Sequence, residues 1–230
     1  ADAVPDVPEY RRRLASAKSS LGRLFQKLGR TAEAEKFYLE AIKDFQTAQQ
    51  AGLDDPLTHD PLAWCHTHLA DLLFTSGHPE KARPQYAKAQ ALREPLTTTA
   101  EQHFAFAMLL SNCDDLELRQ PDRAITLLLQ AVKLVPGNPR YAGALGLAYF
   151  RAGQWDKSLT AIRTAQSLRN IPDANDSFVL AMSLQQSGEK DKAQSALKAA
   201  IETMEKQCPG SIEHLRMRTE ATALIEKAAD

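Results

Sequence analysis

Apolar residues return every three or four positions along nearly all of this chain, the period of a helix with one buried face. Tyr10, Leu14, Ala17, Leu21, Phe25 and Leu28 trace one such face, and Trp155, Leu159 and Ile162 trace another. Pro56, Pro61, Pro95, Pro121, Pro136, Pro139 and Pro172 fall between the runs, where helices are expected to stop and start. Pro84 stands inside a run and predicts a bend near the start of its helix. The reading is all-α, with eleven helices and no sheet.

Those helices form a repeat. The first unit gives Lys18, Leu21, Gly22 and Phe25, then Gly29, Ala34, Tyr38 and Ala41. The second gives Leu69, Ala70 and Leu73, then Gly77, Ala82, Tyr86 and Ala89. The fourth and fifth repeat the pattern at Leu145, Gly146, Tyr149, Gly153, Ser158, Ile162 and at Leu180, Ala181, Leu184, Gly188, Ala193, Leu197. The third, Phe106, Ala107 and Leu110, carries an insertion at 113–120 before Ala124, Leu128 and Ala131. A small residue lets the first helix of a pair approach its partner, and a large one beside it fills the gap. The glycines sit where the first helix must stop, which favours a residue tolerating positive φ. Spacings between the small residues are 48, 37, 39 and 35, against about 34 for a regular helical-pair repeat.

This divides the chain into one domain, 1–230, of five units at 9–55, 61–95, 99–136, 139–171 and 173–207. A closing helix at 211–229, with Met217, Ala221, Leu224 and Ala228 on one face, is expected to cover the last open side.

Composition narrows the classes. Of 230 residues 43% are hydrophobic and 25% charged, with a net charge of -1, so neither disorder nor an electrostatic attraction to nucleic acid or an anionic membrane is expected. Arg11, Arg12 and Arg13 point in three directions from one helix and read as a solvated start. No apolar run approaches the roughly 20 residues of a membrane span. Three scattered cysteines, Cys65, Cys113 and Cys208, suggest no disulfide framework and favour a reducing, cytoplasmic setting. The start at Ala1, without an initiator Met, is expected of a chain processed or excised from something longer.

Catalytic constellations are not legible. His66 and His68 face different sides of a helix, and Cys65 with His68 makes only half a zinc site. Gly143 and Gly146 read as packing glycines inside a repeat, and Asp54, Asp55, Asp114 and Asp115 as turn formers. No phosphate loop, dinucleotide fingerprint or kinase signature occurs. The expectation is a non-enzyme with no cofactor and no metal.

The repeated motifs resemble the tetratricopeptide repeat family over nearly the whole chain. Phe106–Cys113, Pro121–Ala124 and Val132–Pro136 further resemble repeats attached to large bacterial serine/threonine protein kinases, and Phe178–Met182 with the closing helix near Leu215 and Arg216 is similar to the end of those arrays. Pro5–Leu14 resembles a linker between two such repeats. Ser158, where Ala is usual, and Lys18, where an aromatic is usual, depart from the pattern.

The resemblance implies a right-handed superhelix, an α-solenoid, whose first helices line a groove that binds a protein or peptide segment in a bacterial signalling protein. Groove positions fall at Arg23, Gln26 and Lys27; at Trp64, Thr67, Asp71 and Phe74; at Phe104, Met108, Ser111 and Asn112; at Arg140, Leu147, Phe150 and Arg151; and at Asn175, Phe178, Met182 and Gln185. Phe104, Met108, Leu147, Phe150, Phe178 and Met182 are expected to form an apolar strip flanked by Arg140 and Arg151. The alternatives are that these side chains pack between neighbouring helices, and that the chain is a spacer or self-associating element with a self-filled groove. The paired Lys, Asn and Arg that clamp a C-terminal carboxylate in chaperone-binding repeats do not occur.

Overall fold

Proline opens five of the helices. Pro8, Pro56, Pro79, Pro121 and Pro139 stand in the first turn, where the missing N–H is not needed and the fixed φ suits the helix. The computed structural model describes residues 7–207 and 212–226. In chain order it contains α1 (Pro8–Lys27), α2 (Thr31–Gln50), α3 (Pro56–Thr75), α4 (Pro79–Arg93), α5 (Ala100–Asn112), α6 (Pro121–Leu134), α7 (Pro139–Arg151), α8 (Trp155–Ser167), α9 (Ala174–Gln186), α10 (Lys190–Gln207) and α11 (Ile212–Glu226). Short 3-10 turns at Glu94–Leu96 and Leu116–Leu118 complete it, and no strand occurs among the described residues.

α3 begins earlier than its prolines suggest. Asp55 caps it, accepting the Thr58 N–H at 3.0 Å, so the chain is helical from Pro56 and runs through Pro61. Pro61 forgoes only the bond to the Leu57 carbonyl, in a turn where the Leu57 side chain is 68% exposed. α4 likewise runs through Pro84.

The glycine after α1 has φ +70°, which an L side chain rarely adopts. Its N–H reaches the Gln26 carbonyl at 3.0 Å, and the Arg30 N–H reaches Phe25 at 2.9 Å. That pair of bonds ends the helix and sends the chain into α2. The same pair recurs at Gly77, Gly153 and Gly188, so three further helix pairs turn identically.

Each turn brings the small residue of the first helix onto the large residue sixteen positions on. A Cβ on Gly22 would lie 2.8 Å from Tyr38 ring carbons, and one on Gly146 would lie 2.5 Å from Ile162 Cδ1. Ala70 with Tyr86, and Ala181 with Leu197, repeat the sequence relation and are all buried.

The helices fall into two compact units. The first comprises residues 1–98 with Asn112–Arg119. Here α1 pairs with α2 and α3 with α4, and α2 packs on α3. Lys18, the departure from an aromatic, reaches Asp44 at 2.7 Å and Glu40 at 3.2 Å, and the Asp44 carboxylate raises its pKa. The insertion is held by Arg83, whose guanidinium meets Asp115 at 2.5 Å and Glu117 at 2.7 Å.

The apolar run that predicted α1 is not its buried face. Tyr10, Leu14, Ala17, Leu21 and Leu28 are exposed, whereas Ala15, Ser19 and Gly22 are buried. The reason is that α2 meets α1 on its small residues, where the backbones can approach.

The second unit comprises Thr99–Ser111 and 120–230. In it α7 pairs with α8 and α9 with α10, while α6 packs on α7 and α8 on α9. α5 and α6 meet through the Gln120 N–H on the Leu110 carbonyl at 2.8 Å and Arg123 over the Phe106 ring. Ser158, the other departure, is fully buried and satisfied: its hydroxyl donates to the Gly146 carbonyl and lies 2.8 Å from that of Ser183.

Candidate functional site

In unit 1 the groove positions gather on one side of α3. Trp64, Thr67, Asp71 and Phe74 are half-buried there, while Arg23 and Lys27 of α1 are exposed. The Trp64 ring lies 3.9 Å from that of His68 and meets Tyr38 edge-on at 5.9 Å. Two buried tyrosines of the second helices brace this side from behind. Tyr38 donates its hydroxyl to Gln26 at 2.7 Å, and Tyr86 donates to Asp71 at 2.6 Å. Burial raises the pKa of both phenols. Asp71 is therefore a carboxylate already fixed in place, with His68 Nδ1 3.9 Å away. In the sequence His68 stands out only as half a metal site, and its place beside Trp64 is missed; the four- and three-residue steps Trp64–His68 and His68–Asp71 were the available signal. Asn112 belongs to this unit and is half-buried at the base of the insertion.

In unit 2 the expected apolar strip is closed. Phe178 and Met182 are 0% exposed, Leu147 6%, Phe150 8% and Phe104 9%. Leu147, Phe150, Phe178 and Met182 belong to one core cluster, and Met108 packs against it. Ser111 is buried and turns its hydroxyl onto the Ala107 carbonyl of its own helix. The flanks are engaged as well: Arg140 lies 4.0 Å over the Phe104 ring and meets Glu101 at 3.0 Å, while the Arg151 side chain, 7% exposed, is held by Glu220. Asn175 and Gln185 remain half-buried.

Phe104 is covered by Arg140 and Tyr141, and α11 shares in closing the rest. That helix buries Met217, Ala221 and Ile225, with Leu224 beside them, in the same cluster as Phe150, Phe178 and Met182. The sequence placed Met217, Ala221 and Leu224 on this face but missed Ile225; Ala228 lies outside the described residues.

Titratable groups elsewhere are structural. Burial pushes the Cys65 thiol up to about 12 and that of Cys113 to about 11, so neither is a ready thiolate. His66 is buried against Gln85 at 2.7 Å, and burial lowers its pKa. Among the described residues no three His, Cys, Asp or Glu side chains are placed to hold a metal ion, and no helix is long and apolar enough to cross a membrane.

Asp176 sits where Gly143 leaves room for it: a Cβ on that glycine would be 2.2 Å from Asp176 Oδ1. Its carboxyl is pushed up from 3.8 to about 6 by burial and by Asp173, against the pull of Arg169 at 2.9 Å. The folded state thus holds this proton more tightly than the unfolded chain. The stabilisation is complete below about pH 4 and is lost as pH rises through about 6, a difference of roughly 2–3 kcal/mol. Asp176→Asn removes that dependence. Denaturant titrations of both chains at pH 4 and pH 7 should show the unfolding free energy of the parent falling relative to the variant by that amount.

Family models described as tetratricopeptide repeat match residues 14–48, 63–88 and 113–175. No curated protein matches the sequence. Among solved structures the chain is similar to TTC0263, a thermophilic TPR protein of Thermus thermophilus, at 18% identity, covering 92% of this chain and 99% of that one with a TM-score of 0.59. It is also similar to a Podosopora anserina protein with nearly identical TPR-like repeats (17% identity, 86% and 97% covered, TM-score 0.55) and to MamA from MSR-1 (18% identity, 87% and 98% covered, TM-score 0.52). At these identities the likeness is one of fold, the α-solenoid of helical pairs. Taken with the recurring turn and the sixteen-residue contact, the matches settle the assignment: the chain belongs to the tetratricopeptide repeat family.

Proposed function

We propose that this chain is a protein–protein interaction scaffold, without catalytic activity, that binds a protein or peptide segment along the first-helix face of unit 1. The observation that carries this reading is the side of α3. Trp64 and Phe74 are large apolar side chains left half-buried at groove positions, and between them Asp71 is pinned by Tyr86. Aromatic side chains braced from behind lose little entropy on binding and anchor interfaces well. Arg23 and Lys27 on α1 add a basic margin, which favours a segment with apolar residues and an acidic neighbour. The kinase-associated resemblance of residues 106–136 supports placing the scaffold in a bacterial signalling protein of the cytoplasm.

A second reading, in which the chain fills its own groove, is favoured in unit 2 alone, where α11 packs on α9 and shares a cluster with Leu147, Phe150, Phe178 and Met182.

Peptides selected from a displayed random library against the intact chain provide the test. Trp64→Ala and Phe74→Ala should each weaken the selected peptides by about thirtyfold, the effect of an interface aromatic worth about 2 kcal/mol, while thermal unfolding changes little. Selected peptides that bind both variants as tightly as the parent would place the site elsewhere.

A further inference from the structure

α11 does not continue the repeat. A further first helix would pack mainly on the preceding second helix, as α9 does on α8 rather than α7. α11 does the reverse, packing mainly on α9 and less on α10. It therefore lies over the face that first helices present. Its buried stripe is Met217, Ala221 and Ile225, spaced four residues apart, and it joins Leu147 and Phe150 of α7 with Phe178 and Met182 of α9 in one apolar cluster. At the edge Glu220 takes both terminal nitrogens of Arg151, one at 2.6 Å. The Arg151 side chain is 7% exposed, its Nε is buried without a hydrogen bond, and Glu220 is 34% exposed.

This is how a groove receives an amphipathic helix: apolar anchors one turn apart on a complementary strip, and one charge read by one counter-charge. The seat makes a specific demand. A helix covering it without an acidic residue near the position of Glu220 would bury the Arg151 guanidinium with no anion to meet it, a heavily penalised state.

We propose that this face of unit 2 is a helix-binding site, occupied here by α11, whose ligand is an amphipathic partner helix. That helix carries an apolar residue, an acidic residue three positions on, a small residue at four and a branched aliphatic at eight. The inference rests on the reading of the chain as an interaction scaffold and names the partner chemistry of a second surface. The tether gives α11 a high effective concentration, so a free helix of equal intrinsic affinity competes poorly until the resident helix is weakened.

The test uses the full chain and a fluorescent synthetic peptide of residues 212–226. The peptide should bind a Glu220→Arg chain at least about tenfold more tightly than the parent chain, because the resident helix has lost its pair while the probe retains it. The same peptide carrying Glu220→Arg should gain nothing. Glu220→Gln, a milder change, should give the same order of affinities if the charge reversal unfolds the unit. Equal binding of the peptide to parent and both variants, or no binding to a folded variant, would overturn the proposal. So would a concentration-dependent dimer that exchanges α11 between copies without taking up peptide, since the seat would then accept only its own helix. Failure here leaves the α3 face untouched, because Trp64 and Phe74 report on that surface alone.

Discussion

Removal of residues 211–230 should cost unit 2 about 5 kcal/mol or more and make the chain self-associate. Met217 and Ile225 are each 2% exposed and Ala221 is 0%. Burying a Met or Ile side chain stabilises by about 1.5–3 kcal/mol, so those two alone supply about 3–6 kcal/mol. The truncation also uncovers part of the cluster containing Phe150, Phe178 and Met182. A domain's whole stability is about 5–15 kcal/mol, so the loss is a large fraction of what is there. Light scattering coupled to size exclusion, with a thermal melt, reads both effects. A truncated chain as monomeric and as heat-stable as the intact one would show that α11 adds nothing to the core.

Phe178→Ala should lower the stability of unit 2 by about 3–5 kcal/mol, the usual loss for a buried phenylalanine whose cavity cannot fully collapse. Phe178 is 0% exposed and its neighbours Ala174, Ala181 and Met182 are closed to within 1%. The two tryptophans report separately, since Trp64 lies in unit 1 and Trp155 packs against the affected cluster. In a chain with Trp64 replaced by Phe, the denaturation midpoint seen by Trp155 fluorescence should drop for Phe178→Ala. An unchanged midpoint would mean that this side chain is not core.

Phe74 is half-buried and Phe178 fully buried, though both stand at first-helix groove positions. The repeat was legible because its signals are local. A glycine with positive φ after four of the first helices, and a small residue sixteen positions before a large one, each express a contact within one helix pair. Phe150 and Phe178 share their cluster with Met217, Ala221 and Ile225 of α11, which begins at Ile212, and no spacing rule within a repeat carries that information. Phe178 and Phe74 both stand at groove positions of a first helix, yet Phe178 is closed within a cluster that includes α11 while Phe74 is half-buried. The same limit appears in α1, where Leu14, Leu21 and Leu28 have the period of a core face yet are exposed. Periodicity says which residues share a face, not whether anything covers it. At α3, Pro61 looked like a boundary because a proline suggests one, but the Asp55 cap lies six residues earlier and sets the start.

The seating of α11 has a consequence for synthesis. Arg151 and Glu220 are 69 residues apart, whereas the four turns that shape the helix pairs close within six residues. On a ribosome adding about 5–20 residues per second, each pair can form as it emerges. The face of α7 and α9 must then wait some seconds for its cover. In that interval Phe150, Phe178 and Met182 form an uncovered apolar strip on an otherwise folded nascent chain, the kind of surface that a chaperone at the exit tunnel recognises.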